Sequence, residues 1–308
     1  MAGVLGLIVV EAYAKAPRTA SHASPSTTAA MRTRLRRRSA LENTAMAAVS
    51  QGLIDFANHH RQPPAPGIAV VRTSRFQVTL QPDLPIPGPN SITYVRCRAG
   101  EANEVIEEAR AIVAPHRLPV HWILDPEVEP SNFADFLRAR GVDLDSSVKV
   151  MVLPIEARID ARPVDGLELR DGLADDDSFN AADAVNREAF KSSARVDRAA
   201  NARRRQNQLA AGNRRLILAT VHGEPAGSAG LSLFPPSGAI INGGAVRPKF
   251  RGLGVYRAMI AARRAMARDA GVPGVMVWGG HMSAPILERL GFETVGWRKF
   301  YMDTSAVG

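Results

Sequence analysis

Apolar and polar positions alternate in two runs of short elements, over residues 41–155 and 165–303. In the first run, apolar residues near helical spacing predict a helix over Leu41–His60. Short β-rich stretches predict strands at Ile68–Val71, Phe76–Leu80 and Ser91–Cys97; Pro82, Pro85, Pro87, Gly88, Pro89 and Asn90 form a turn region before the third. An amphipathic, acidic helix lies between Gly100 and Pro115. A strand at Val120–Leu124, a helix at Asn132–Arg140 stopped by Gly141, and a strand at Val148–Ile155 complete the run. Pro154–Pro163 reads as a linker.

The second run opens near Gly166 with a short strand, Leu167–Arg170. Asp175–Phe190 predicts a helix whose acidic start suits the helix dipole. Strands at Leu216–Val221 and Gly227–Leu233 flank a turn, His222-Gly223-Glu224-Pro225. A strand at Ala239–Val246, a helix at Val255–Gly271, a strand at Val275–Trp278, a helix at Ala284–Leu290 ended by Gly291 and a strand at Val295–Met302 follow. The two runs echo each other. Leu118-Pro119-Val120-His121-Trp122 precedes Leu137-Arg138-Ala139-Arg140-Gly141, as Val272–Trp278 precedes Leu287-Glu288-Arg289-Leu290-Gly291. The expected class is a mixed α/β sheet protein with two lobes.

Composition narrows this only at the edges. The 308 residues suit about two domains. No stretch supplies the ~18 to 20 apolar residues of a membrane helix, so no membrane partner is expected. The single cysteine, Cys97, excludes an internal disulfide and a four-cysteine zinc site. No metal is expected, and the setting expected is cytoplasmic. Net charge is +9, but residues 1–40 hold seven basic residues against Glu11 alone. The body is therefore nearly balanced, and a nucleic-acid partner is not expected. Residues 1–40 read as a disordered or targeting-like tail, Arg-rich and acid-poor, or as sequence ahead of a true start at Met31 or Met46.

Chemistry concentrates in Ala245-Val246-Arg247-Pro248-Lys249-Phe250-Arg251-Gly252-Leu253-Gly254-Val255-Tyr256. A strand ends there and a glycine turn opens onto a long helix. That arrangement aims backbone N–H groups and the positive end of a helix dipole at one point, as a pyrophosphate requires. Gly252 and Gly254 admit close approach, and Arg251 can add a charge-assisted bond. The segment is neither a Walker loop nor a three-glycine dinucleotide loop.

Here the chain resembles the GNAT superfamily of N-acetyltransferases. VRPKFRGLGVYRAM is similar to its acetyl-CoA motif at Arg251, Gly254 and Tyr256, and SAPILERLGFETVG (Ser283–Gly296) is similar to its next block. The resemblance covers about 165–303. It implies the GNAT acyl-CoA N-acyltransferase fold and direct acetyl transfer from acetyl-CoA to an amine, without a covalent enzyme intermediate. It assigns Arg251, Gly252, Leu253, Gly254, Val255 and Tyr256 to the pyrophosphate loop and Val246 to the strand pairing with pantetheine. The acceptor would be a small-molecule or peptide amine, and a homodimer stays open. Two usual catalytic groups are missing. The strand AIINGGAV carries no carboxylate, and Leu287 stands where a tyrosine is common. Tyr301 and His281 are the nearest substitutes by position, and the alternative is a catalytically inactive acyl-CoA-binding regulatory protein. Residues 41–155 read as a degenerate GNAT-like lobe shaping the acceptor cleft, with Glu101 where phosphate would sit. The basic stretch 191–215 is either a solvated helix face or an attractor for an acidic substrate or the CoA 3′-phosphate.

Overall fold

Ser50 begins the first helix, α1 (Gln51–His59), by accepting the Leu53 N–H on its hydroxyl at 3.3 Å. The structure is a computed structural model that describes residues 48–160, 162–190 and 196–307; the N-terminal tail and the start of the first expected helix lie outside them. Helix α1 buries Leu53, Phe56 and Ala57 against the central strands.

The first lobe continues with β1 (Ala69–Arg72), β2 (Gln77–Leu80), β3 (Ser91–Thr93), α2 (Ala102–Val113), β4 (Val120–Leu124), α3 (Phe133–Arg138) and β5 (Leu144–Pro154). Strands β3 and β4 are parallel, Ile92 opposite Trp122, with α2 as the crossover. Strand β3 stops at Thr93, short of the expected Cys97, because Tyr94 takes a left-handed φ of 56° and turns the chain out of the ladder. Trp122, Phe133, Ile92, Val105 and Ile106 form this lobe's core.

The second lobe runs β6 (Leu167–Asp171), α4 (Asp176–Ala189), α5 (Arg198–Ala211), β7 (Arg214–Val221), β8 (Glu224–Phe234), β9 (Gly238–Val246), α6 (Val255–Asp269), β10 (Gly274–Gly279), α7 (Ala284–Arg289) and β11 (Glu293–Asp303). Asp175 and Asp197 cap α4 and α5, accepting the N–H groups of Ser178 at 2.7 Å and Ala200 at 2.9 Å. The order β9–α6–β10–α7–β11 repeats β3–α2–β4–α3–β5, with β9 and β10 parallel as β3 and β4 are. The chain thus repeats one order of elements in its two halves.

The two lobes share one sheet and exchange strands at its middle. One sheet runs β1-β2-β3-β4-β11-β5-β10-β9-β8-β7-β6. Each half lends its last strand to the other: β5 pairs with β10, Val152 opposite Met276, and β11 pairs with β4, Tyr301 opposite Trp122. The end of β11 is tied to the first core. Asp303, 2% exposed, accepts from Trp122 Nε1 at 3.0 Å and from Arg110 Nε at 2.9 Å. Burial alone would raise the Asp303 pKa; the bonds from Arg110, Ser305 and Trp122 outweigh it and hold the pKa below the usual range.

Candidate active site

Strands β9 and β10 pair only at Ala239–Val275 and Ile240–Met276, then separate. Beyond that point β9 runs on to Val246 with one edge unpaired by any strand. Its other edge follows β8 through a register shift between Ser228 and Gly230. This bulge, at Gly243–Gly244 beside Asn242, is pinned by Arg263 of α6. The fully buried guanidinium donates to the carbonyls of Met259 (3.1 Å), Gly230 (3.2 Å) and Asn242 (3.2 Å). Burial pushes its pKa down to about 10, which leaves it a cation at neutral pH.

The turn after β9 is open. Gly252 and Gly254 have φ of 84° and 97°, the left-handed region that glycine enters without strain. Gly254 is the N-cap of α6 and no side chain caps it. The first intrahelical bond is Ala258 N–H to Gly254 C=O, so the N–H groups of Val255, Tyr256 and Arg257 are not consumed by the helix. Arg251 donates to the carbonyls of Val246 (3.2 Å) and Ala189 (3.3 Å) and joins no ion pair among the described residues. Its neighbours are neutralised differently. Arg247 pairs with Glu188 at 2.7 Å and Lys249 with Glu224. The loop therefore offers backbone donors, a dipole and one unneutralised guanidinium to an anion.

Two of the expected loop residues contribute backbone only. The Val255 side chain is buried in the core. The Tyr256 ring turns under β9, where a Cβ on Gly244 would stand 2.7 Å from its Cε2. Its bulk packs the strand and does not close the loop. Leu253 is half exposed.

The first lobe has no equivalent opening. Glu101 accepts the Arg98 N–H at 2.9 Å and the Arg98 guanidinium at 2.6 Å, placing a carboxylate at the start of α2. Those bonds hold its pKa at about 2, so it is charged at any physiological pH and opposes phosphate there.

Two connected cavities meet the bulge from the side of the sheet that carries α1. The larger, about 530 Å³, lies between α4, α5, β8 and β9 of the second lobe and the loops at 62–68 and 81–89 of the first. The smaller, about 140 Å³, shares Gln62, Gln81, Arg214 and Asn242 with it and runs between β2–β3 and Ile240, Met276 and Trp278. Strand periodicity builds the far wall. In β2 and β3, Val78, Leu80 and Ile92 face the first core, while Gln77, Thr79, Ser91 and Thr93 face the cavity.

His60 lines the same space, its ring 4.2 Å from Phe234 and 4.9 Å from Phe56. Burial, then the charges of Arg214 and Arg72, push its pKa down to about 4. Between pH 6.5 and 4 the unfolded chain takes the proton and the folded chain resists it, so stability falls as pH falls through that window. His60→Phe is expected to remove about 2 kcal/mol of that acid-side loss, after allowance for the ring's partial exposure. Melting temperatures of both proteins between pH 7.5 and 4 check this; parallel curves would contradict it.

The structure separates the two catalytic candidates. Tyr301 is buried in the first lobe's core on β11, opposite Trp122, with β5 between its strand and β10. It cannot reach the β9–β10 opening, and the expectation is corrected: its position near the end of the sequence concealed the strand exchange. His281 is exposed just beyond β10, at the sheet end where β9 also finishes. Leu287 is fully buried. In the basic stretch, residues 191–195 lie outside the described set. Arg203, Arg204 and Arg205 pair with Asp83, Asp183 and Asp176. Arg214 pairs with no acid among the described residues. Its Nη1 donates to Ser232 Oγ and its Nη2 to Gln62 Oε1 at 3.4 Å. Neither Arg214 nor the polar wall carries a sequence signal beyond a charge run and an ordinary alternating strand. Among the described residues no group of three or more His, Cys, Asp or Glu could hold a metal ion, and no helix is long and apolar enough to cross a membrane.

A tandem sheet with a parting parallel pair and an open glycine loop defines an acyl-CoA N-acyltransferase fold. Residues 182–292 match the model of the acetyltransferase (GNAT) family. No curated protein matches the chain in sequence. Among solved structures, it is similar to a GCN5-related N-acetyltransferase from Kribbella flavida, at 17% identity and a TM-score of 0.56, over 82% of this chain and 91% of that one. A functionally unknown conserved protein from Staphylococcus epidermidis aligns at 16% identity and TM-score 0.59, over 83% and 99%. A tandem GNAT protein from the clavulanic acid biosynthesis pathway aligns at 17% identity and TM-score 0.52, over 86% and 91%. At these identities the likeness is one of fold.

Proposed function

We propose that the protein is an acetyl-CoA-dependent N-acetyltransferase whose second lobe holds the acyl donor and whose cavity between the lobes takes the amine. The observation that carries this is the uncapped start of α6, with Arg251 in no ion pair among the described residues, standing at the end of a strand that has one unpaired edge. Acetyl-CoA would supply a thioester already activated toward an amine. Arg251 and the N–H groups of 252–256 would hold the pyrophosphate, and the edge of β9 up to Val246 would offer backbone groups to the amide-bearing arm. The reacting carbon would lie by the bulge at Gly243–Gly244, where the cavities meet β9. The amine nitrogen forms the C–N bond, the C–S bond breaks, the ammonium proton passes to cleft water, and the thiolate sulfur takes up a proton. His281, exposed at that end of the sheet, is the remaining side-chain candidate for the last step. Cys97, buried and free, suits a reducing, cytoplasmic setting.

The second reading, a regulator that binds acyl-CoA without turnover, draws on one fact: the cleft side of β9 presents Asn242 and no carboxylate. Acceptor-dependent release of free thiol from acetyl-CoA, measured across amines and short peptides, decides between them. Release that requires the amine supports the transferase; tight acetyl-CoA binding with none supports the regulator.

A further inference from the structure

The smaller cavity gathers polar groups that the protein leaves unmatched. Three buried side-chain atoms with no hydrogen-bond partner among the described residues, His60 Nε2, Thr93 Oγ1 and Trp278 Nε1, belong to residues lining it. Such orphans are few in a folded protein, and three in one cavity ask for a ligand. The Trp278 indole can only donate, and Thr93 can donate.

Charge points the same way. Arg214, which lines both cavities, is held by the neutral side chains of Ser232 and Gln62 and pairs with no acid among the described residues. It stands opposite Ser232 in the β7–β8 register, and Ser232 Oγ also accepts from Asn242 Nδ2 at 2.7 Å. This row of three strands runs from the guanidinium to the β9 bulge. Burial lowers the Arg214 pKa, a sign that the cation has been desolvated without a counter-charge. Arg298, on the opposite wall, is occupied by Asn58 O at 2.6 Å and its neighbour's carbonyl at 2.8 Å. The acid in this cavity, Asp125, is already taken by Arg96 at 2.8 Å and the Glu127 N–H at 2.9 Å. What the cavity lacks is an acceptor with negative charge.

We propose that the acceptor is amino-acid-like: a small amine carrying a carboxylate a few bonds from its nitrogen, the carboxylate on Arg214 with Trp278 Nε1 and Thr93 Oγ1 donating, the amine at the β9 bulge. This rests on the transferase reading for the chemistry, though not for the binding. The reaction is the one already balanced: the amino nitrogen bonds the acetyl carbon, sulfur leaves as thiol, and one proton goes to water. The carboxylate is unchanged.

The test uses the full chain and a panel of free amino acids, each beside its α-carboxamide. Calorimetric titration gives binding, and thiol release in the presence of acetyl-CoA gives turnover. A preferred amino acid is expected to bind at least 10-fold more tightly than its amide. Trp278→Phe, which keeps the ring and removes the N–H, is expected to weaken it several-fold. Arg214→Gln is expected to raise KM 30-fold or more and leave acetyl-CoA affinity unchanged, with Arg214→Lys recovering part of the loss. Amino acids and amides binding alike, no amino acid binding at all, or no response to either variant would overturn the proposal. Amino-acid binding without thiol release would leave the cavity assignment standing and remove the transferase reading. Equal acetylation of uncharged amines, indifferent to Arg214→Gln, would do the reverse.

Discussion

Gly254→Asp is expected to weaken acetyl-CoA binding at least 100-fold, about 2.7 kcal/mol or more, and to abolish any thiol release. Three effects add. The backbone at 254 has a φ of 97°, which strains any residue bearing a Cβ. A Cβ there would approach Val164 Cγ2 to 3.2 Å. A carboxylate would occupy the anion's place at the start of α6, as Glu101 occupies the corresponding place in the first lobe. Arg251→Glu reverses a charge that joins no ion pair among the described residues, without touching a glycine, so it separates charge from backbone strain. Calorimetric titration with acetyl-CoA, with circular dichroism to show that each variant folds, checks both. If Arg251→Glu binds like the parent chain, the donor does not sit on this loop. If the parent chain itself does not bind, both functional readings fall.

The part of this site that was readable before the structure is the local part. Strand, glycine turn and helix follow one another in 239–271, and each has its own signal in pattern, glycine placement and caps. The observed elements, Gly238–Val246 and Val255–Asp269, lie within two residues of those expected. What pattern could not supply is long-range. A strand of alternating polarity such as Gln77–Leu80 reads as half solvent-facing, yet all four of its residues are buried, because its polar face closes a cavity formed by residues some 150 positions later. Arg214 looks like one more charge in a basic run; only the folded positions of Asp83, Asp183 and Asp176 show which arginines are neutralised. Tyr301 was misplaced for the same reason. Its strand reads as the end of the second lobe, and nothing local shows that it pairs with Val120–Leu124.

That exchange has a measurable consequence. Two ordinary domains joined by a linker can unfold separately, but here β5 and β11 each complete the other half's sheet. Loss of the first core therefore releases β11, which leaves β5 unpaired on one side and exposes its neighbour β10. Trp122→Ala is the sharpest probe. The side chain is fully buried against Phe133, at a ring separation of 5.7 Å, and its Nε1 bonds Asp303 at the end of β11. Truncating it is expected to cost about 3 to 5 kcal/mol, a large share of a typical stability of about 5 to 15 kcal/mol. Urea unfolding should show a single transition by circular dichroism. The fluorescence of Trp278 and Trp297, which belong to the second lobe's chain, should shift to lower urea by the same amount. If those two tryptophans keep the parent midpoint while helicity is lost at lower urea, the lobes unfold independently and the interleaving contributes nothing to cooperativity. The cleft makes the coupled outcome functional as well as structural. Its far wall is β2–β3 of the first lobe, so an acceptor held on Arg214 has its other side shaped by strands that stand only while β11 is in place.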